Sequence, residues 1–291
     1  MLLGALEAGG TKMVLAIGDE SGNIEEQIEI PTVTPEITTK RIIEYFKNKS
    51  IKALGIGSFG PIDLNRTSKT YGYITSTPKL AWVNYDLVGV LQKELDIPIG
   101  FDTDVNASAL GEVTFGCMKG LNSGLYLTIG TGVGAGVFIN GSLLHGMLHP
   151  EAGHVLINRH KEDSFEGICP YHNTCLEGLA SGPAIEKRWG HKAVELSEND
   201  KVWEMEAFYI AQALMGYILT LSPEKIVLGG GVMHQLQLFP LIRNQVKHLL
   251  NGYLNTPEIN NLKDYIVPAS LADKQGIMGC LELARLELKL V

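Results

Sequence analysis

The 291-residue sequence predicts an α/β protein built as two related domains. Two observations carry that reading. A strand, a Gly/Thr turn and a second strand fill residues 5–17, and the same design returns at residues 125–139, followed by an Asn140-Gly141 turn into a further strand. One such hairpin would pass as an ordinary Gly-rich turn. Two copies about half a chain apart, both with Gly-Thr at the turn, point to a duplicated architecture with two phosphate loops facing each other.

The turns themselves explain why. The first holds Gly9, Gly10, Thr11 and Lys12, and the second holds Gly130, Thr131 and Gly132. Glycines at 130, 132, 134 and 136 strip one side of the second hairpin bare, so a ligand can approach the backbone. Thr128 and Thr131 add hydroxyls beside uncovered N–H groups, which suits a phosphate. Neither turn is a Walker A loop, because no Gly-Lys-Ser/Thr follows a four-residue spacer. Gly130-x-Gly132-x-x-Ala135 comes near the dinucleotide fingerprint, yet β-formers follow it where a helix is required. A hairpin in this role belongs to the actin-like nucleotide fold, in which ATP lies between two related domains.

The remaining elements follow in order. Residues 24–30 alternate as a third strand, and residues 38–49 carry helical periodicity through Ile42, Ile43, Tyr45 and Phe46. A short apolar strand at 51–58 stops at Phe59-Gly60-Pro61, a turn at a strand's carboxyl end, where open α/β sheets bind ligands. Residues 66–80 form a long polar loop of the kind that often binds. A helix at 85–95 and a strand at 97–101 lead into Asp102-Thr103-Asp104-Val105-Asn106, a strand end opening into a helix. Asp104 or Asn106 could simply cap that helix. A carboxylate at this place is also where a general base belongs. Residues 149–175 are polar with little regular signal. Helices are expected at 184–189, 202–221, 236–250 and 276–288, with strands at 225–228 and 265–268. Gly229-Gly230-Gly231 between strand and helix gives three glycines where an ordinary turn needs one, so a flat base could lie against the backbone there.

Composition narrows the class. Apolar residues make up 45% of the chain, enough for a sizeable core, and the net charge of −8 argues against general nucleic-acid or anionic-membrane binding. No window is apolar and long enough for a transmembrane helix, and the first residues lack the marks of a signal peptide. The expected location is the cytoplasm, where cysteines stay reduced and call for a metal or burial before a disulfide. Cys169, His172 and Cys175 form a tight knuckle, and His154 stands fifteen residues upstream. Two soft and two borderline ligands match a closed, structural zinc site. The alternative is scattered polar residues with a buried thiol. Half of all four cysteines within seven residues, with His172 midway, favours the metal. Cys117 and Cys280 lie in apolar surroundings and suit a core.

Together these motifs resemble the ROK group of sugar kinases and repressors, and within it the bacterial zinc-containing fructokinases. The matching pieces are Glu7-Ala-Gly-Gly-Thr-Lys12, Gly57-Ser-Phe-Gly-Pro61, Thr77-Pro-Lys79 with Trp82, Thr103-Asp-Val-Asn106, Thr128-Ile-Gly-Thr-Gly-Val-Gly134, Glu151-Ala-Gly-His154, the knuckle, Glu177-Gly-Leu-Ala-Ser-Gly-Pro183 and Leu228-Gly-Gly-Gly-Val232. The resemblance implies an actin-like ATPase (ribonuclease H-like) fold with a cleft between a smaller domain, 1–114 completed by the helix 276–291, and a larger one, 115–275, carrying the zinc. It implies phosphorylation of a hexose by ATP with Mg²⁺, Asp104 as catalytic base, and a homodimer. Sugar contacts would come from Gly60, Pro61, Thr103, Asn106, Glu151, His154 and Glu177. The nucleotide would meet Gly9, Gly10, Thr11, Lys12, Gly130, Thr131, Gly132, Pro183, Gly230, Gly231, Val232, Met233, His234 and Gln235. Structural Zn²⁺ would take His154, Cys169, His172 and Cys175.

Two residues depart from the family. Glu7 replaces the usual Asp near magnesium, and Thr103 replaces the Asn that glucose-type members carry before the base. The second departure makes fructose the expected sugar, ahead of mannose, glucose or an amino sugar. A sugar-responsive repressor of the same group would need a helix-turn-helix region ahead of residue 5, and a sugar-binding protein without turnover would not need both phosphate loops.

Overall fold

The computed structural model describes residues 1–290 and divides into two units, one of Met1–Gly120, Leu143–His149 and Ser270–Val291, the other of Leu121–Ser142 and Pro150–Ala269. The boundaries expected from the sequence are 114/115 and 275/276, with residues 143–149 in the larger domain; here Leu143–His149 falls in the first unit.

In the first unit β1 (Leu3–Ala8) and β2 (Lys12–Gly18) make the first hairpin, and β3 (Ile24–Pro31) extends it at the edge. The chain continues through α1 (Pro35–Lys47), β4 (Leu54–Ser58), the short pair β5 (Tyr73–Ile74) and β6 (Tyr85–Asp86), then α2 (Leu87–Leu95), β7 (Ile99–Thr103) and α3 (Asp104–Thr114). The strand order is β3-β2-β1-β4-β7, with β1, β4 and β7 parallel. In the second unit β8 (Gly124–Ile129), β9 (Val133–Ile139), β10 (Ser142–Leu143), β11 (Ile226–Gly229) and β12 (Ile266–Pro268) run in the order β10-β9-β8-β11-β12. Here β8, β11 and β12 are parallel and β9 is antiparallel to β8. Each sheet therefore repeats one plan: a hairpin whose first strand passes on to two parallel neighbours. That is the duplication expected from the two Gly/Thr turns.

Expected and observed boundaries differ where backbone chemistry intervenes. Residues 51–53 lie outside β4, although Ala53 O accepts from Gly4 N and Lys52 N donates to Leu2 O. The helix expected from 85 starts at Leu87, because Asp86 caps it by accepting from Gly89 N. The segment 66–80, expected as a loop, contains β5; ahead of that strand Asp63, Asn65 and Ser68 accept from nearby backbone N–H groups, a run of local turns that competes with regular structure.

The first sheet carries a core on each face, except along its exposed edge strand β3. Leu6, Met13, Leu15, Ile42, Phe46 and Ile56 fill one core, while Leu3, Ala5, Ala16, Ala107, Ile277 and Cys280 fill the other, under α3 and the C-terminal helix Gln275–Leu288. That helix lies so close that its carbonyls occupy the space of missing side chains. A Cβ at Gly55 would stand 1.8 Å from Cys280 O, and one at Gly279 would stand 1.7 Å from Ala107 O. In the second unit, α4 (Leu176–Ala180), α5 (Gly182–Trp189), α6 (Asp200–Leu221) and α7 (Leu238–Leu250) cover the sheet, with Trp203 and Tyr209 of α6 fully buried.

The close helix contact gives a paired test. Gly279→Ala should destabilise by about 1–3 kcal/mol, the usual cost of overpacking. Gly216→Ala, in α6 with nothing within 4 Å of the added methyl, should instead be neutral or stabilising by up to ~1 kcal/mol. Denaturant unfolding of the two variants reads both effects.

Candidate active site

Parallel pairing brings three strand ends to one edge of the first sheet. Ala8 pairs with Ser58, and Ser58 with Thr103, so the turns after β1, β4 and β7 stand side by side. Those turns hold Gly9 to Lys12, Gly60 and Pro61, and Asp104.

The β1–β2 turn is shaped by its own backbone. A Cβ at Gly9 would lie 2.6 Å from Lys12 O, and one at Gly10 would meet the Lys79 stem at 2.9 Å. Thr32 Oγ1 donates to Gly9 O at 2.7 Å. Thr11 is exposed, and the Lys12 ammonium lies 2.5 Å from Glu29 Oε1 on the surface. An exposed pair of this kind is weak and readily exchanged for a stronger anion. Glu7, near the end of β1, has its carboxyl pKa raised by burial, with Lys12 pulling the other way. The β4 turn sits on the first, since Phe59 N donates to Ala8 O at 2.8 Å, and it contains a cis Gly60–Pro61 bond.

At the β7–α3 junction, Thr103 caps the helix: its Oγ1 accepts from Asn106 N at 3.0 Å. Neither Asp104 nor Asn106 has that task, which corrects the capping role considered for them. Asp104 is the first helical residue, partly exposed, and its Oδ1 accepts from Val105 N at 2.8 Å. Asn106 is fully buried, and its Nδ2 donates to Asp102 Oδ1 at 2.7 Å. Thr103 is buried as well. Sequence reasoning passed over Asp102 and His145, although His145 Nε2 lies 2.8 Å from Asp102 Oδ2. The Asp102 carboxylate raises the His145 pKa above its ordinary value against the pull of desolvation.

In the second unit, the turns after β8 and β11 are neighbours by the pairing of Thr128 with Gly229. Gly130 O accepts from Gly182 N at 2.8 Å, which joins the turn to the start of α5, where Pro183 lies. Gly230 adopts φ of 88°, and a Cβ there would strike Ile129 O at 2.5 Å. Around these residues lies a groove of about 420 Å³, lined by Gly130, Thr131, Gly182, Pro183, Gly231 and Val232 and also by Glu186, Lys192, Ala193 and Val194. The last four were not expected. Glu186 lies on α5, Ala193 and Val194 on the short turn Ala193–Leu196, and Lys192 just before that turn, where the sequence shows only an ordinary helix stop at Gly190. Gly132, Gly230, Met233, His234 and Gln235 stand outside the groove lining; Met233 is buried in the core, and Gln235 Oε1 accepts from Gln237 Nε2.

The Glu151-Ala152-Gly153-His154 stretch forms a 3-10 turn at Ala152–His154, with Tyr217 OH donating to Ala152 O at 2.5 Å. Gly153 rests on β9, where a Cβ would stand 1.9 Å from Val133 O. Glu177 Oε2 accepts from Val133 N at 3.0 Å, so at least one of its oxygens fastens the second Gly/Thr turn. The Glu151 carboxyl is partly desolvated although the residue as a whole is exposed, and with the charge of Glu177 this raises its pKa. Beside it, donor atoms of His154, Cys169, His172 and Cys175 all lie within 4.8 Å of one another, a set able to hold a metal ion. Cys175 Sγ also accepts from Gly178 N at 3.4 Å and so caps α4.

A family model for the ROK family matches residues 3–287. The chain belongs to the ROK family. It is 52% identical over 255 residues to a fructokinase of Lactococcus lactis subsp. cremoris, covering 87% of each chain. It is 47% identical to a fructokinase of Pediococcus pentosaceus over 99% of both chains. Among solved structures, a ROK hexokinase from Thermus thermophilus matches all of both chains with a TM-score of 0.82 at 25% identity. The architecture is thus the actin-like ATPase fold expected from the two hairpins. No helix among the described residues is long and apolar enough to cross a membrane.

For this ROK chain the capping assignment is open to measurement. Thr103→Ala should cost about 1 kcal/mol of stability, and Asp104→Asn should leave the unfolding midpoint almost unchanged. Equal losses in the two variants would contradict the cap.

Proposed function

We propose that the chain is an ATP-dependent fructokinase that transfers the γ-phosphoryl group to fructose and forms fructose 6-phosphate. The observation that carries the reading is the placement of Asp104 at the carboxyl edge of the parallel strands, in a family whose curated relatives over nearly the full length are named fructokinase. Thr103 does the capping, so the helix start does not by itself account for a carboxylate at 104.

Phosphoryl transfer asks for positioning and charge stabilisation more than for covalent chemistry. Asp104 takes the proton of the attacking hydroxyl as the bond to phosphorus forms. In the first unit the turn Gly9 to Thr11 offers backbone to phosphate oxygens, with Lys12 exchanging Glu29 for phosphate; in the second unit Thr131 and Gly132 do so, Gly130 N being taken by Gly132 O. Pro183 and Gly231, Val232 flank the base in the groove, where Lys192 adds a cation. Glu7 is the carboxylate that would hold Mg²⁺ entering with ATP, directly or through water, and the ion would supply positive charge to the phosphate oxygens and offset the desolvation of Glu7. Glu151 and Glu177 supply acceptors for sugar hydroxyls beside the metal site. Thr103, whose Oγ1 accepts from Asn106 N, keeps a hydroxyl proton to offer the sugar, and its place before the base is the ground for fructose. A cytoplasmic homodimer completes the proposal, supported by the family resemblance and by cysteines that remain thiols. Light scattering tests the dimer.

The metal is proposed to be zinc. Tetrahedral Zn²⁺ with bonds near 2.3 Å to sulfur and 2.0–2.1 Å to nitrogen separates S and N ligands by about 3.6 Å. The observed Sγ–Nδ1 separations are 3.7 Å for Cys169–His154, 3.6 Å for Cys169–His172 and 3.5 Å for Cys175–His154. Burial pushes the Cys175 thiol up to about 11, so only a cation makes the thiolate favourable there. With all four positions taken by protein, the ion has a structural part.

Two measurements test the proposal. In a coupled ADP-release assay over a hexose panel, kcat/KM should be highest for fructose, and Asp104→Asn should lower kcat by roughly 10²–10⁴-fold, the scale of a lost general base. A higher value for glucose, or an Asp104→Asn enzyme with full turnover, would contradict it. For the metal, purified protein should carry one zinc per chain, and Cys169→Ser should lose it and raise the fructose KM more than the ATP KM. Metal analysis that finds no stoichiometric zinc ends that part.

A further inference from the structure

We infer that His145 is a positioning residue for phosphoryl transfer, holding the strand-to-helix turn of Asp104 in place through Asp102. The inference rests on the kinase reading above.

Asp102 is 3% exposed, and a carboxylate so buried is stable only with donors on its oxygens. Oδ1 receives Thr103 N at 2.8 Å and Asn106 Nδ2 at 2.7 Å, and Oδ2 receives His145 Nε2 at 2.8 Å. The aspartate can only accept, so Nε2 carries the proton. Nε2 therefore accepts nothing from Asn106 Nδ2, 3.4 Å away, and the amide serves Asp102. Asn106 Oδ1 is buried and has no hydrogen-bond partner among the described residues. The amide is thus steered from its NH₂ side, by Asp102. These bonds tie residues 102, 103 and 106 together and enclose Asp104 between them. His145 is itself exposed, and replacing its imidazole by a ring without an N–H takes from Oδ2 the one fixed donor it has in the structure. The carboxylate must then turn, and the Thr103 amide and Asn106 turn with it.

The segment that supplies His145 is itself held at both ends. Leu143–His149 packs within the first unit although residues of the second flank it in sequence. Its far end, His149, is 6% exposed, and His149 Nε2 accepts from Ile62 N at 3.3 Å, next to Gly60 and Pro61. A backbone N–H must donate, so this imidazole uses Nε2 as an acceptor while His145 uses it as a donor. Met147 between them is wholly exposed, so the ends order the segment and its middle does not. Both anchors fall on turns that hold candidate sugar-binding residues.

Steady-state kinetics of full-length His145→Phe and His145→Gln test the inference. A shift of about 1 Å in a reacting group can cost roughly 10²-fold. His145→Phe should therefore lower kcat by roughly 10–100-fold with little change in the ATP KM. His145→Gln keeps an N–H donor and should recover most of kcat. A role confined to stability predicts a lower unfolding midpoint with kcat per folded enzyme unchanged in both variants. Nitrogen NMR of the wild type, independent of any variant's folding, should show His145 protonated on Nε2 and bare on Nδ1 at alkaline pH. Full kcat in a folded His145→Phe, no recovery in His145→Gln, or a bare Nε2 overturns the inference alone. A wild type that phosphorylates no hexose overturns the kinase reading and this inference together.

Discussion

Parallel pairing of three strands is the constraint from which the rest of each unit follows. Parallel neighbours cannot be joined by a tight turn, so the chain must cross over through helices, and every strand then ends at the same edge. In the first unit that edge collects the turns after β1, β4 and β7, and in the second the turns after β8 and β11. A loop at such an edge has backbone groups that the sheet leaves unpaired, and a ligand can take them. The antiparallel hairpin in each sheet adds a turn whose backbone stays bare because its side chains are small. Chemistry gathers where the pairing stops.

Glycine serves two separate ends in this arrangement. At Gly55 and Gly279 its absent side chain lets the C-terminal helix and α3 approach to distances that any Cβ would forbid. At Gly230 its freedom at positive φ turns the chain sharply after β11 and over Ile129 O. The first use is packing, and it brings a rigid helical layer directly beneath the strands that carry the site. The second is conformational, and it aims backbone into the groove. Stability and site geometry thus depend on the same residue type for unrelated physical reasons, so glycine content alone does not tell them apart.

Most elements were legible from periodicity, because apolar spacing dictates which face of a helix or strand can be buried. The two hairpins announced the duplicated sheets, and Cys169, His172, Cys175 and His154 announced a convergent donor set. Three things were not legible. The cap at Thr103 was missed because Asp and Asn are equally good caps, and only the φ and ψ of 103 decide which residue is used. Asp102 and His145 are 43 residues apart, and no local pattern encodes their meeting. Glu186, Lys192 and Val194 reach the groove because α5 ends at Gly190 and the chain doubles back, which spacing does not foretell.

Val133 shows how closely the parts of the second unit depend on one another. Its N–H is taken by Glu177, and its carbonyl fills the place a side chain would have at Gly153. Glu177 lies two residues beyond Cys175, and Gly153 immediately precedes His154, two members of the Cys/His donor set. One residue at the start of β9 is therefore bracketed by both arms of the Cys/His donor set, and it directly follows Gly132 of the second Gly/Thr turn. An ion that fixes His154 and Cys175 limits how far Gly153 and Glu177 can move, and so limits the turn between them. This coupling needs no metal contact with a reacting atom. It needs only that two short segments be held at a fixed separation, which four converging ligands achieve and a pair of neutral, buried thiols would not.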